Sequence, residues 1–346
     1  MQKVYILTGI GGHLGNTIAQ ALLQKGETVR GFARPNEDVT MLYGSAISIV
    51  RGDIRDIASL EPLFYGLRPD DEAVVIHCAG VVSVATGYDQ NVYDVNVHGT
   101  ENVVWLCRKH HVKKLVYISS VHAIPEPEDG STITEIGGFS PEEVKGLYAK
   151  TKAEATQIVL DAAKEGLDAT VVQPSGIIGP NDYGHGHLTQ LVVSYLNGTL
   201  TACVEGGYDF VDVRDVADGV IAATEKGKKG ECYILSNCYM PVKELLNMLS
   251  RITGGRKVKT ILPMWFARAT APLAELYYKI RNEAPLFTRY SLYTLSSNSH
   301  FQNDKAKRDL GYRARDIGTT LKDTVNFLLR ERKNLFVKRT PQYGQA

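Results

Sequence analysis

Tyr148 and Lys152 stand four residues apart in Gly146-Leu147-Tyr148-Ala149-Lys150-Thr151-Lys152. In a helix that spacing puts both side chains on one face, one turn apart. A free tyrosine has a pKa of roughly 10 and is a poor proton donor or acceptor near neutrality. An ammonium held beside it favours the phenolate and lowers that value. The pair can then pass a proton to, or take one from, an oxygen on a reacting carbon. Taken alone, Tyr-x-x-x-Lys is common on solvated helix faces and carries little weight. Its weight comes from the other end of the chain.

Val4 to Thr8 is a short apolar run with strand character, and Gly9-Ile10-Gly11-Gly12-His13-Leu14-Gly15 follows it. A helix pattern with apolar Leu14, Ile18, Ala21 and Leu22 comes next. Glycines at 9, 12 and 15 therefore sit where a strand turns into a helix, and a turn without side chains lets backbone N–H groups approach a pyrophosphate. The spacing is G-x-x-G-x-x-G, not the more general G-x-G-x-x-G. A Gly-rich corner can be purely structural, but its place between strand and helix favours a dinucleotide site, with His13 and Leu14 in the same turn. A ribose 2′-hydroxyl is usually met by an acidic residue about 20 residues further on, and a 2′-phosphate by arginine. The next strand ends Gly31-Phe32-Ala33-Arg34-Pro35-Asn36. No carboxylate stands at that tip and Arg34 does, so NADP(H) is expected in preference to NAD(H). The guanidinium can also stack on the adenine. Asp53, beside Ile54 at the tip of the third strand, is placed to accept from the adenine amino group.

These residues must be carried by a regular frame. Thr28 to Ala33, Ile47 to Arg51, Glu72 to Cys78, Lys114 to Ser119 and Ala169 to Gln173 read as further strands. The run 72–78 is continuously apolar, as a parallel strand covered on both faces should be. Val95 to His110 and Leu147 to Lys164 read as helices. Strands alternating with helices argue for an α/β fold with a doubly wound parallel sheet. Beyond Pro174 the rhythm changes. Ile177 to His187 is loop-like and rich in glycine and polar residues. Helices are expected over 188–197, 215–224, 242–252, 265–280 and 321–330, with short strands at 210–213 and 232–236. The expected division is a Rossmann dinucleotide-binding domain over 1–176 and a smaller, mostly helical substrate lobe over 177–337. Segments such as 208–236 are free to return to the sheet, and 338–346 is expected to be a mobile tail.

Composition narrows the class. The 346 residues are 44% hydrophobic with a net charge of +1, and no long run of one sign suggests a nucleic-acid surface. Five cysteines without C-x-x-C spacing suggest neither a zinc knuckle nor a disulfide framework. Reduced thiols in a cytoplasmic protein are the simple reading. Met1 to Leu7 lacks the pattern of a signal peptide. The stretch Ile261 to Ile280 contains Arg268, Glu275, Lys279 and two prolines, whereas a spanning helix needs about 20 mostly uncharged residues. It reads as an amphipathic helical region, so no integral membrane segment is expected. His185 and His187 look like a metal pair, but no cysteine or carboxylate cluster accompanies them. A substrate loop is the expectation there, and no metal.

With these motifs in line the chain resembles an extended short-chain dehydrogenase/reductase. The motifs are Thr8-Gly9-x-x-Gly12-x-x-Gly15, Gly52-Asp53-Ile54, His77-Cys78-Ala79-Gly80, Asn96-Val97-x-Gly99-Thr100, Tyr117-Ile118-Ser119-Ser120, Tyr148-x-x-x-Lys152 and Gln173-Pro174-Ser175-Gly176-Ile177-Ile178-Gly179-Pro180. The resemblance implies that Ser120 hydrogen-bonds the substrate oxygen, that Tyr148 is the acid/base, and that Lys152 holds the nicotinamide ribose and tunes Tyr148. It makes Ser119 a structural neighbour and Asn96 a brace. Cys78, Ala79 and Gly80 would approach the cofactor, and Pro174, Ser175 and Ile177 would line the nicotinamide. A homodimer through the helices near 99–111 and 147–165 rests on the resemblance alone.

Two branches of that family compete. One holds sugar-nucleotide epimerases and dehydratases. The other holds ketone reductases similar to dihydroflavonol 4-reductase and 3β-hydroxysteroid dehydrogenase. Dehydratases commonly follow the catalytic hydroxyl with an Asp-Glu pair, whereas Val121-His122 follow Ser120 here. Sugar-nucleotide enzymes often carry a phosphate-clamping arginine just before Asp209-Phe210, and here that position is Tyr208. Arg34-Pro35 resembles NADP-using reductases. Arg214 or Arg268 could still hold a phosphate, which keeps an epimerase with tightly bound NAD(P) as the alternative. A non-catalytic NADP-binding regulatory protein is a third reading, against which Ser120, Tyr148 and Lys152 all stand. The expectation is an oxidoreductase interconverting a carbonyl and its alcohol on a hydrophobic small molecule. His122, Tyr183 and His187 are the candidate substrate contacts, and Trp265, Phe266, Tyr277 and Tyr278 the candidate apolar lining.

Overall fold

The computed structural model describes residues 2–37, 39, 46–68, 70–281 and 288–339. In chain order the strands are β1 (Lys3–Thr8), β2 (Thr28–Ala33), β3 (Ser48–Arg51), β4 (Glu72–His77), β5 (Lys114–Ile118), β6 (Ala169–Pro174), β7 (Gly176–Ile178), β8 (Ala202–Val204), β9 (Gly207–Asp212), β10 (Cys232–Leu235), β11 (Cys238–Pro241) and β12 (Thr260–Leu262). Seven of them form one parallel sheet in the order β10-β6-β5-β4-β1-β2-β3. The order reverses between β1 and β4, whose last residues, Thr8 and His77, lie side by side. Ligands of doubly wound sheets bind outside the strand ends at such a reversal.

The sheet's two faces follow from side-chain alternation. Ile6, Val75, Leu115, Tyr117 and Val171 belong to one buried cluster. Their neighbours Tyr5, Leu7, Val74, Ile76, Val116 and Val172 belong to the other. The first face is covered by helices Gly99–Lys109 and Leu147–Lys164. Ala149, Ala153, Ala155, Ala162 and Ala163 are buried on the second of these, so the Tyr148 helix presents small side chains to the core. The other face carries helices His13–Gln24, Val213–Lys226 and Asp304–Leu310.

Beyond β6 the chain builds a three-stranded sheet, β11-β9-β7, and a β8–β12 pair. A third core of Ile178, Val192, Phe210, Leu245, Leu249 and Leu321 packs beneath them. β10 returns to the edge of the main sheet beside β6. Two expectations need correction. Residues 177 and 178, read as loop, are strand, because β9 offers a parallel edge and Ile178 is buried against it. The last helix runs Ile317–Arg339, starting earlier than residue 321, because the Asp316 carboxylate accepts from Thr319 N at 2.8 Å and caps it. The expected tail lies outside the described residues from 340 onward. Among the described residues no helix is long and apolar enough to cross a membrane.

Candidate active site

The crevice between β1 and β4 is tied by one hydrogen-bonded chain. Thr8 Oγ1 lies 2.7 Å from His77 Nδ1, and Ala79 N donates to the same hydroxyl at 3.2 Å. His77 Nε2 lies 3.1 Å from Thr100 Oγ1. Burial pushes the His77 pKa down to about 3, so the ring is neutral and braces the two loops. Gly9 has φ +70°, and a Cβ there would meet Ala79 N at 2.7 Å. A Cβ on Gly15 would meet the Gly9 carbonyl oxygen at 2.1 Å. The first helix begins at His13 with no acidic residue in its first turn, and no side chain among the described residues caps it. Its first N–H groups and the positive end of its dipole are thus left for an anion. Side-chain-free loops and an uncapped helix at a strand-order reversal fit a dinucleotide pyrophosphate.

The tip of β2 holds more than the sequence suggested. The Arg34 side chain is 81% exposed and its guanidinium donates to Glu37 Oε1 at 3.2 Å. Glu37 folds back so that its carboxylate lies against Gly11, where an added Cβ would meet the carboxyl carbon at 2.5 Å. A carboxylate therefore does stand by the Gly-rich turn. Asp53, expected to face adenine, is held by Arg55, whose Nε donates to both carboxylate oxygens at 2.9 and 3.1 Å. That hydrogen bonding keeps Asp53 below the usual carboxylate range. Ile54 packs on Gly99, and His13 Nε2 lies 2.9 Å from the Pro180 carbonyl.

Ser120, Tyr148 and Lys152 come together at the C-terminal end of β5, and all three are buried. Lys152 Nζ donates to the Ile118 carbonyl at 2.7 Å and lies 3.4 Å from the Tyr117 hydroxyl. Burial draws the lysine pKa down to about 8. Burial also pushes Tyr148 up to about 12, against a hydrogen bond with Ser120 that pulls it down. Spacing alone suggested that Lys152 governs Tyr148. In this geometry burial and Ser120 act on the Tyr148 hydroxyl, and the Lys152 ammonium one helix turn away is bonded to the β5 carbonyl. A Cβ on Gly80 would come within 3.4 Å of Lys152 Nζ, so the β4 loop and the lysine are neighbours. Asn96 ties the pieces together. Its side chain accepts from Val81 N at 2.8 Å and donates to the Val81 carbonyl and the Thr151 hydroxyl, both at 3.0 Å. Ser119 is paired with Thr156 at 2.6 Å and takes no part.

Next to Tyr148 stands an aromatic wall. The His122 ring lies 6.0 Å from the Tyr148 ring, edge-on, and stacks on Tyr208 at 5.5 Å. Burial draws the His122 pKa down to about 4, so a neutral ring shares a hydrogen bond between Nε2 and Tyr208 OH, 2.6 Å away. Tyr290 lies 6.3 Å from His122, and its buried hydroxyl meets no hydrogen-bond partner among the described residues. Such a group costs about 1–3 kcal/mol when nothing meets it. A cavity of about 180 Å³ is lined by His122, Tyr208, Tyr290, Ala149, Ile133 and Phe301 among others. Tyr290 went unnoticed in the sequence because it meets the site from a helix, Arg289–Ser296, far away in the chain.

The other candidates sit elsewhere. Tyr183 packs edge-on against Phe327, and His187, which opens a helix, is exposed and meets the Val82 backbone. Ser175 donates to Asp209 at 2.5 Å, and Ile177 pairs with Val211. Burial raises Asp209 to about 6 and the Cys78 thiol to about 12. Trp265 and Phe266 face outward, 71% and 41% exposed. The small Ala267 and Ala271 instead meet Val204 and Leu292, which turns the large rings away from the body. The side chains of Tyr277 and Tyr278 lie outside what the structure describes. Among the described residues no group of three or more His, Cys, Asp or Glu could hold a metal ion.

Known proteins are similar to this chain in sequence and fold. "Sterol demethylase protein B" of Methylococcus capsulatus is 32% identical over 310 residues, covering 88% of this chain and 92% of that protein. The 2-alkyl-3-oxoalkanoate reductase of Stenotrophomonas maltophilia is 28% identical over 322 residues, covering 89% and 93%. The crystal structure of gox2253 superposes with a TM-score of 0.81 at 29% identity, covering 95% of this chain and 98% of that one. The family model for NAD dependent epimerase/dehydratase proteins matches residues 5–236. The chain belongs to that family of NAD(P)-dependent enzymes.

Proposed function

We propose that this enzyme is an NADP(H)-dependent reductase, or the reverse alcohol dehydrogenase, of an apolar carbonyl compound. The observation that carries the reading is the buried cluster of Ser120, Tyr148 and Lys152 beside the β4 loop, facing an aromatic wall. The bound dinucleotide supplies or takes the hydride. Tyr148 gives or takes the proton at the substrate oxygen, and Ser120 hydrogen-bonds the same oxygen. Lys152 holds the nicotinamide ribose and, as an ammonium, favours the phenolate. His122, Tyr208 and Tyr290 offer the substrate ring faces, while Glu126, Lys145 and Asn298 give the same cavity a polar side, so an apolar carbonyl compound that also carries a polar group suits it. The names of the relatives, a sterol demethylase protein and an alkyl-oxoalkanoate reductase, point the same way. The arginines that could have clamped a sugar nucleotide's phosphates are engaged. Arg214 pairs with Asp212 at 2.7 Å and Asp323 at 2.8 Å, and Arg268 donates to Ser296.

The test is loss of NADPH absorbance against steroid ketones, flavanonols, 3-oxoacids with long alkyl chains and simple aldehydes. Turnover of one apolar class is expected. No oxidation of NADPH with any of them, together with epimerisation of a nucleotide sugar, would overturn the reading.

The pH profile should differ by direction. Alcohol oxidation needs the phenolate, and a phenol held near 12 makes that rate climb with pH until the Lys152 ammonium, which both directions use, loses its proton above about 8. Carbonyl reduction needs the protonated phenol and a charged Lys152. It should hold through neutrality and fall above about 8, where the buried ammonium loses its proton. Initial rates in both directions across pH check this. Parallel profiles would remove Tyr148 as the proton carrier.

A further inference from the structure

We infer that Glu37, together with Arg34, sets the cofactor preference of this chain, by holding a carboxylate at the ribose end of the Gly-rich turn. The inference rests on the dinucleotide reading and goes beyond the assignment of Arg34. Glu37 stands four residues past the end of β2. The chain turns there, Glu37 N donating to the Arg34 carbonyl at 3.1 Å, and the side chain comes back to the strand tip. One oxygen accepts from Arg34 N at 3.2 Å and the other from the Arg34 guanidinium at 3.2 Å. Arg51, the last residue of β3, pins the turn from the far side by donating to the Arg34 carbonyl at 3.3 Å and to the Glu37 carbonyl at 2.5 Å. The carboxylate also occupies the space that any side chain at position 11 would claim. It is 19% exposed, whereas Arg34 is 81% exposed. This carboxylate is fixed on three sides at the edge of the turn.

The two charges make opposite demands. A carboxylate accepts hydrogen bonds from ribose hydroxyls and repels a 2′-phosphate, while a guanidinium binds the phosphate. Paired as they are, each neutralises part of the other's effect. NADPH binding has to draw Arg34 away from Glu37 and tolerate a nearby negative charge. NADH binding can use Glu37 as it stands. The chain should therefore accept both dinucleotides, with a preference smaller than Arg34 alone would give.

The test is titration of NADPH and NADH into wild-type and Glu37→Gln protein, followed by nicotinamide fluorescence, with Tm measured alongside. Removing the charge while keeping the shape should tighten NADPH about tenfold and weaken NADH a few-fold. The ratio of the two Kd values then moves toward NADPH by more than about tenfold. Unchanged Kd values for both, or equal losses for both, overturn the inference, and equal losses with a lower Tm would assign Glu37 to holding the loop. A wild-type protein that binds NADPH no tighter than NADH would refute the NADP(H) reading. It would leave this test intact, because the readout is the change in the ratio between two proteins.

Discussion

Tyr148→Phe is expected to lower turnover by about a thousandfold, within the range that a positioned acid or base contributes, while NADPH binding shifts by less than about twofold. The substitution removes one oxygen and keeps the ring. That ring is 8% exposed and edge-on to His122, so its packing survives. The lost hydroxyl bonds to Ser120, which costs about 1 kcal/mol of stability and no fold. Lys152 keeps its bond to the Ile118 carbonyl, so a ribose partner remains in place. Steady-state turnover and a fluorescence titration on the same preparation separate chemistry from binding. Normal turnover in this variant would end the proposed mechanism. Loss of both turnover and binding would instead make Tyr148 a cofactor contact.

What could be read in the sequence was local, and what escaped it was long-range. The Gly-rich turn is legible because strand, turn and helix are contiguous, and each glycine has a steric reason within the motif or its facing loop. Tyr148 and Lys152 are legible because a helix fixes their relation in one turn. The parallel sheet is legible because strands buried on both faces are continuously apolar. The aromatic wall is not legible. His122 meets Tyr208 across 86 positions, and Tyr290 arrives from still further along the chain. Nothing in the local pattern around Tyr208 distinguishes a ring that faces substrate from one that packs. Trp265 and Phe266 show the converse, since a helix rich in rings turned its alanines inward and left the rings outside. Glu37 is not legible from strand ends either, because it stands in the turn after β2 and only the fold-back of that turn brings its carboxylate to Gly11. Lys152 lies one helix turn from Tyr148, as the spacing predicts, and its ammonium is held by the Ile118 carbonyl, which the spacing does not show. A carbonyl of the neighbouring strand competes for an ammonium as effectively as a phenol does.

Arg34→Asp is expected to weaken NADPH about a hundredfold and NADH by less than about threefold, read as Kd by titration. The side chain is 81% exposed and its ion-pair partner among the described residues is Glu37, so folding should not suffer, such pairs contributing about 0–1 kcal/mol. The effect on NADPH has two sources. The guanidinium that would meet the 2′-phosphate is lost, and the new carboxylate stands next to Glu37, doubling the negative charge at that edge. NADH carries no phosphate there and meets at most an additional acceptor. Equal losses for both dinucleotides would refute the assignment of the 2′-phosphate to Arg34. They would mean that the arginine stacks on the adenine common to both cofactors, a role that an exposed guanidinium at a strand tip can fill without reading the ribose. In that case Glu37, fixed against Gly11, would be the carboxylate among the described residues of this turn that could tell the two cofactors apart by charge.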